Sequence, residues 1–209
     1  MALDSPDTNQ LLDLAANGDS NAIDQLLQRY RSRLKGMASM RLDPRLLQRV
    51  DPSDIVQETL IEAHRRLPEY LRDRPLPFYP WLRGIAWNRL IDLHRRHVQS
   101  QRRTVNREVK LSIKLPGQTT GMLIKQLTMQ ESGPLQALVE IELHERLRKC
   151  LDELPEIDRE VLILRHLEQL SVTESAAVLD IPEGTVKSRH FRALEKLRLQ
   201  LNDGRRDTE

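Results

Sequence analysis

The side chains with the clearest chemical use lie near the C-terminal end. Lys187, Ser188, Arg189 and Arg192 fall within six positions, with Thr185 just before them and Phe191 among them. Residues 183–206 carry seven basic and three acidic side chains. On the first turns of a helix, such donors can pair with guanine edges in a major groove, while the helix start binds phosphate. A solvated surface helix would also be basic, so the preceding residues decide. Ser171–Glu174 reads S-V-T-E, a capping box that opens a short helix ending near Leu179. Asp180 and Ile181 make a turn, and Pro182 suits the first turn of a longer helix running to about Leu201. Ala176, Ala177, Leu179, Ile181 and Val186 supply the small and apolar contacts needed where two helices cross. The pattern predicts a helix-turn-helix.

A second constellation is aromatic. Five of the seven aromatic residues, Tyr70, Phe78, Tyr79, Trp81 and Trp87, fall within 18 positions. Arg83, Arg89, Arg95 and Arg96 follow or interleave, against one acid, Asp92. Bases stack on rings and phosphates pair with cations, so this mixture suits single-stranded DNA. The competing reading is a small helical core, which is favoured for Phe78 and one of the tryptophans. At helical spacing Trp81, Asn88, Asp92 and Arg95 share a face, and Leu82, Ile85, Ala86 and Leu93 can point inward.

A third is acidic. Residues 51–62, DPSDIVQETLIE, contain four acids and no base. Asp54, Glu58, Glu62 and Arg65 are expected opposite an apolar stripe of Val56, Leu60, Ala63 and Leu67, with Gln57 beside them. Acids near a helix start also serve its dipole. Such a face repels DNA, so any partner is a protein.

The elements that must carry these residues are helical throughout, with no alternating strand pattern. Helices are expected over about Gln10–Asn17, from Asp19 with Ile23, Leu26, Leu27, Tyr30 and Leu34 on one face, from Asp51 to about Leu67, and from Phe78 or Trp81 to His97. Pro75, Pro77 and Pro80 force a loop before the last of these. Residues 98–133 are polar and weakly periodic, and Arg102–Lys114 holds five basic residues and one acid. This stretch reads as a flexible linker with a short helical piece around Met122–Leu127. Two further helices, about Leu135–Glu153 and Pro155–Leu167, precede the helix-turn-helix. The expected fold is all-α, two small helical domains, 1–97 and 134–209, joined by the linker 98–133.

Composition narrows the function classes. Of 209 residues, 31% are charged, and 33 basic against 31 acidic residues leave a net charge of +2 that hides local asymmetry. Cys150 is the single cysteine, so neither an internal disulfide nor a thiolate zinc cluster can form. His64, His94, His97, His144, His166 and His190 lack metal-ligand spacing. No phosphate-binding glycine loop or nucleophile motif is present. No enzyme activity and no cofactor are expected. The N-terminus, MALDSPDTNQ, lacks an apolar signal region, and no run matches a membrane span, so a cytoplasmic chain without membrane insertion is expected.

Three segments, in order, resemble the sigma factors of bacterial RNA polymerase. DPSDIVQETLIEAHRRL resembles their core-polymerase-binding helix, with its D-x-V-Q-E-T pattern. FYPWLRGIAWNRLIDLHRRH resembles the helix that melts and reads the minus-ten element. LPEIDREVLILRHLEQLSVTESAAVLDIPEGTVKSRHFRALEKLRLQL resembles the minus-thirty-five-reading domain, centred on I-P-x-G-T-V-K-S-R. The two-domain layout is similar to the extracytoplasmic-function group. The resemblance implies that Asp54, Gln57 and Glu58 touch core RNA polymerase. It implies that Trp81, Asn88, Asp92, Arg95 and Arg96 handle the minus-ten strand. Thr185, Lys187, Ser188, Arg189, Phe191 and Arg192 would then meet the minus-thirty-five duplex. An anti-sigma factor is a further implied partner. Trp87 stands where the family often has arginine, and Asp180 replaces the usual turn glycine. The alternative is a helix-turn-helix regulator that acts without being a polymerase subunit; it leaves the acidic and aromatic segments unexplained.

Overall fold

A computed structural model of the chain describes residues 5–101, 117–128 and 137–206. All regular structure among the described residues is helical. The chain divides into two units, with the boundary between Lys114 and Leu115.

In the first unit, α1 (Pro6–Ala16), α2 (Ser20–Arg41), α4 (Pro52–Asp73) and α5 (Phe78–Gln101) pack together, and a single turn, α3 (Pro44–Leu47), follows α2. Each start has a local cause. Ser5 caps α1, Asp19 accepts from the Asn21 and Ala22 amides, and Asp51 accepts from the Ser53 amide at 2.7 Å. That amide bond, the largest influence on Asp51, holds its carboxyl below the usual range. Between α1 and α2, Gly18 turns the chain at φ +88°, a left-handed conformation suited to glycine.

α4 does not stop at Leu67, as its apolar stripe suggests. It passes through Pro68 and ends at Asp73, with Arg74 left-handed at its C-cap. Pro68 forfeits one helical bond. Tertiary contact offsets the loss: Tyr70, one half-turn on, is buried, and its hydroxyl donates to the Leu76 carbonyl at 2.9 Å. α5 starts at Phe78 with Pro80 inside its first turn, where a missing amide costs no helical bond.

The core of this unit is where most of the aromatics go. Phe78 and Tyr79 are fully buried and Tyr70 nearly so. Tyr30 of α2 joins them, 5.5 Å from Phe78 and 5.6 Å from Tyr79 between ring centroids. Its hydroxyl lies 2.8 Å from the Thr8 hydroxyl of α1. Rings at these separations gain contact energy beyond their buried area.

The second unit contains α6 (Gly117–Thr128), α7 (Ala137–Glu153), α8 (Glu156–Leu162), a π-helical turn (Ile163–Leu167), α9 (Val172–Leu179) and α10 (Glu183–Arg206). Here the structure differs from the expected boundaries. The short helical piece placed in the linker is a three-turn helix packed against α7 and the π turn. Leu123 and Ile124 lie in one core cluster with Leu147, Cys150, Leu151, Leu154, Ile163, Ala193 and Leu197. The polar neighbours of this helix mask its periodicity in the sequence. The basic stretch Arg102–Lys114 and the start of the helix expected at Leu135 lie outside the described residues. Burial pushes the Cys150 thiol pKa up, as suits a small core residue.

Leu123→Ala should therefore destabilise the second unit by about 2–5 kcal/mol, the usual cost of emptying a leucine site. Amide exchange in α7 and α10 across a denaturant series would read this. Unchanged protection would mean that Gly117–Thr128 is only a connector.

Candidate functional site

On α4, Ile55, Val56, Thr59, Ala63, Leu67 and Tyr70 turn inward. Asp54, Gln57 and Glu58 are exposed on the other side. Glu58 reaches Arg89 of α5 at 3.8 Å, an exposed and weak pair. Glu62 departs from the expected row. It is 9% exposed, accepts from Arg65 at 2.7 Å and from Arg66 at 2.5 Å, and is not offered to a partner. The Arg65 hydrogen bond, first among several influences, keeps its carboxyl below the usual range.

On α5, Leu82, Ile85, Ala86 and Leu90 are buried, and Asn88, Asp92, Arg95 and Arg96 are exposed. Trp81 is half-buried, its ring 4.5 Å from Tyr70 and 5.5 Å from Phe78. It is both a lid on the aromatic core and a partly accessible ring. Trp87 is also half-buried, with the guanidinium groups of Arg41 and Arg83 at 5.3 Å and 5.4 Å from its centre. Those arginines are 3% and 4% exposed, so Arg83 faces the interior and not a nucleic acid.

In the second unit the expected helix-turn-helix is present. Ser171 accepts from the Glu174 amide at 3.0 Å, and the Ser171 amide donates to the Glu174 carboxylate at 2.7 Å, closing the capping box. Asp180 takes the left-handed turn conformation at φ 53°, which aspartate tolerates better than most residues. The Thr173 hydroxyl donates to Glu183 at 2.6 Å, tying α9 to the start of α10. Ala176, Leu179 and Val186 are buried at the crossing, while Ala177 and Ile181 are half-buried.

With Val186, Ala193 and Leu197 inside, α10 presents Lys187, Ser188, Phe191 and Arg192 to solvent. Phe191 is 67% exposed. The Ser188 hydroxyl donates to the Thr185 carbonyl at 3.0 Å, and Thr185 itself is half-buried. Arg189 is not on this row. Its guanidinium lies 2.7 Å from Asp158 of α8, which is 7% exposed, so it anchors the helix instead of facing a groove. Sequence spacing placed Arg189 with its neighbours because its partner is 31 positions away.

A histidine pair escaped the sequence reading. His166 of the π turn and His190 of α10 face each other, Nε2 to Nε2 at 2.9 Å, with ring planes 17° apart. That distance requires one nitrogen to donate and the other to accept, so the pair holds a proton between the rings. Burial first, then His190 and Arg165, lower the pKa of His166; burial and then Arg165 lower that of His190. No group of three or more potential metal ligands occurs among the described residues, and no helix there is long and apolar enough to cross a membrane.

Residues 26–100 match the family described as Sigma-70 region 2, and residues 144–197 match Sigma-70, region 4. The chain is 32% identical over 188 residues to the ECF RNA polymerase sigma-E factor of Salmonella typhimurium strain LT2, covering 90% of each chain. The same identity and coverage hold for the ECF RNA polymerase sigma-E factor of Escherichia coli strain K12. Among solved structures, CnrH in complex with the cytosolic domain of CnrY matches with a TM-score of 0.53 at 25% identity, covering 95% of this chain and 99% of that one.

The histidine pair sets a pH dependence. Unfolded imidazoles, near 6.5, take up protons that the folded pair resists. Its stability is therefore present above about pH 6.5 and falls as the pH drops through that value towards the lowered folded pKa. Acidification from about pH 7.5 to about pH 5.5 should weaken amide protection in α9 and α10. The double variant His166→Gln, His190→Gln should show less of this loss. An equal loss in both proteins would assign it to other groups.

Proposed function

From the premise that the chain belongs to the sigma-70 family, in its extracytoplasmic-function branch, we propose how its two units divide the work of a sigma factor. The chain directs promoter-specific transcription initiation by RNA polymerase. In this reading the first unit docks on core polymerase through Asp54, Gln57 and Glu58. Its α5 receives the melted minus-ten strand through Trp81, Asn88, Asp92, Arg95 and Arg96. The second unit reads the minus-thirty-five duplex through Lys187, Ser188, Phe191 and Arg192, with Thr185 at the helix start. Residues 98–133 connect these tasks, with Gly117–Thr128 contributed to the second unit.

The observation that carries the reading is the exposed row on α10 behind an intact capping box and turn. Two cations, a hydroxyl and a phenyl ring on one helix side suit base edges, phosphates and a thymine methyl group. Phosphate contacts position the helix, whereas base contacts specify the site. Aspartate and glutamate on α4 are unsuited to DNA and suit a basic protein surface. The polymerase supplies all catalysis, so the chain has no reaction of its own and works in the cytoplasm where the polymerase is. An anti-sigma factor is proposed as a second protein partner; the solved relative CnrH is seen with another protein's cytosolic domain.

Two substitutions on neighbouring turns of α10 separate reading from anchoring. Arg192→Ala should leave the thermal unfolding of the second unit unchanged and relax base preference within the minus-thirty-five element, by about 1–3 kcal/mol at one position. Arg189→Ala should instead destabilise the unit, because it strands the carboxylate of Asp158. Binding to a set of single-base promoter variants decides the matter. A uniform loss for Arg192→Ala, with the base ranking preserved, would make that residue a phosphate contact only.

On the first unit, Asp54→Lys combined with Glu58→Lys should weaken core polymerase binding while helicity is retained. The loss should be largest at low salt, as expected for charges at an interface rim. Undiminished binding throughout a salt series would refute the assignment of α4.

A further inference from the structure

One residue on the polymerase-facing side of α4 is not polar. Ile61 is 72% exposed, more than Phe191, Leu199, Leu14 or Met122, the other large apolar side chains that are exposed among the described residues. It follows Glu58 by three positions and Gln57 by four, so it continues their row by one helical turn. Arg65, with its side chain 74% exposed, stands on the next turn. The flanking Glu62 and Ala63 are turned in, and Leu60 is half-buried.

The fold has no use for an isoleucine there. It adds nothing to the core at that exposure, and its branched side chain is a poorer helix former than leucine, lysine or glutamate. A single exposed apolar residue needs no explanation by itself. Its position supplies one, because it continues the acidic row by one turn and lies between Glu58 and Arg65, not at a random place on the surface. Interfaces are built with an apolar centre and a polar rim, and the centre carries most of the affinity while charges set approach and orientation. Asp54, Gln57 and Glu58 alone would be a rim without a centre. The Glu58–Arg89 pair is exposed and weak, so a partner cation can replace Arg89 at little cost.

We infer that Ile61 is the apolar anchor of this face, seated in a depression on core RNA polymerase whose edge towards the N-terminal end of α4 is basic. The inference rests on the reading of α4 as the polymerase-binding helix. Basic groups on the polymerase meet Asp54 and Glu58, and one turn further along the pocket closes over Ile61. DNA does not fit the same surface, since the carboxylates repel phosphate.

The test measures the affinity of the full chain for core polymerase over a salt series. Ile61→Ala and Ile61→Gln should each weaken binding about tenfold, with the salt slope of the unaltered protein, because the lost contact is apolar. Ile61→Leu should bind within about threefold of it, because an apolar side chain of equal volume can refill the pocket. Circular dichroism should be the same for all three variants, since the residue is exposed. If Ile61→Ala and Ile61→Gln bind like the parent while the Asp54→Lys, Glu58→Lys protein is weakened, the anchor is wrong and the reading of α4 stands. If none of these variants is weakened, the reading of α4 fails with it.

Discussion

A helix in a small bundle can bury only one stripe, and the opposite stripe must face solvent. That constraint governs this chain, because neither unit is thick enough to surround a helix. On α4 the inward stripe is Ile55, Val56, Thr59, Ala63, Leu67 and Tyr70, which forces Asp54, Gln57, Glu58 and Ile61 outward. On α10 the inward stripe is Val186, Ala193 and Leu197, which leaves Lys187, Ser188, Phe191 and Arg192 exposed. The surfaces proposed to be functional are thus the complement of the two cores. A substitution that rotated either helix by a quarter turn would bury its contacts and expose its core together.

Holding α10 at the right rotation takes more than apolar packing, because its buried stripe is built from small and medium side chains. Three polar ties add direction. Asp158 fixes Arg189, Thr173 fixes Glu183, and the Ser171–Glu174 box fixes the entry to α9. Truncating one partner of a buried charge pair is costly, since the other is left without compensation. Helix α10 is therefore held in place by its own unit, and in the proposed role this pre-orientation lowers the cost of binding DNA. The histidine pair adds a fourth tie, from the π turn to α10, that depends on proton count.

Features encoded over short distances were legible in the sequence. The capping box, the turn at Asp180, the α10 row and the exposure of Asp54, Gln57 and Glu58 depend on neighbours within a few positions. Features set by distant partners were not. Tyr30 packs on Phe78 and Tyr79 from across the unit, so those two rings are core, while Trp81 and Trp87 of the cluster are half-buried. Arg189 looked like a surface charge because its partner, Asp158, is 31 positions away. Helix α6 was blurred because Leu123 and Ile124 sit among polar residues, and α4 outran Pro68 because Tyr70 is held by the aromatic core. For Arg189 and for α4 a tertiary contact overrode a local rule.

The most direct test of the account is transcription in a reconstituted system. Core RNA polymerase with and without this chain would be given a genomic template, and the transcript starts would be mapped. The account predicts a small set of starts that appear only with the chain, each preceded by two shared sequence elements, one for each unit. Starts that do not change on adding the chain, while the chain binds duplex DNA without polymerase, would contradict it and favour a helix-turn-helix regulator that is not a polymerase subunit.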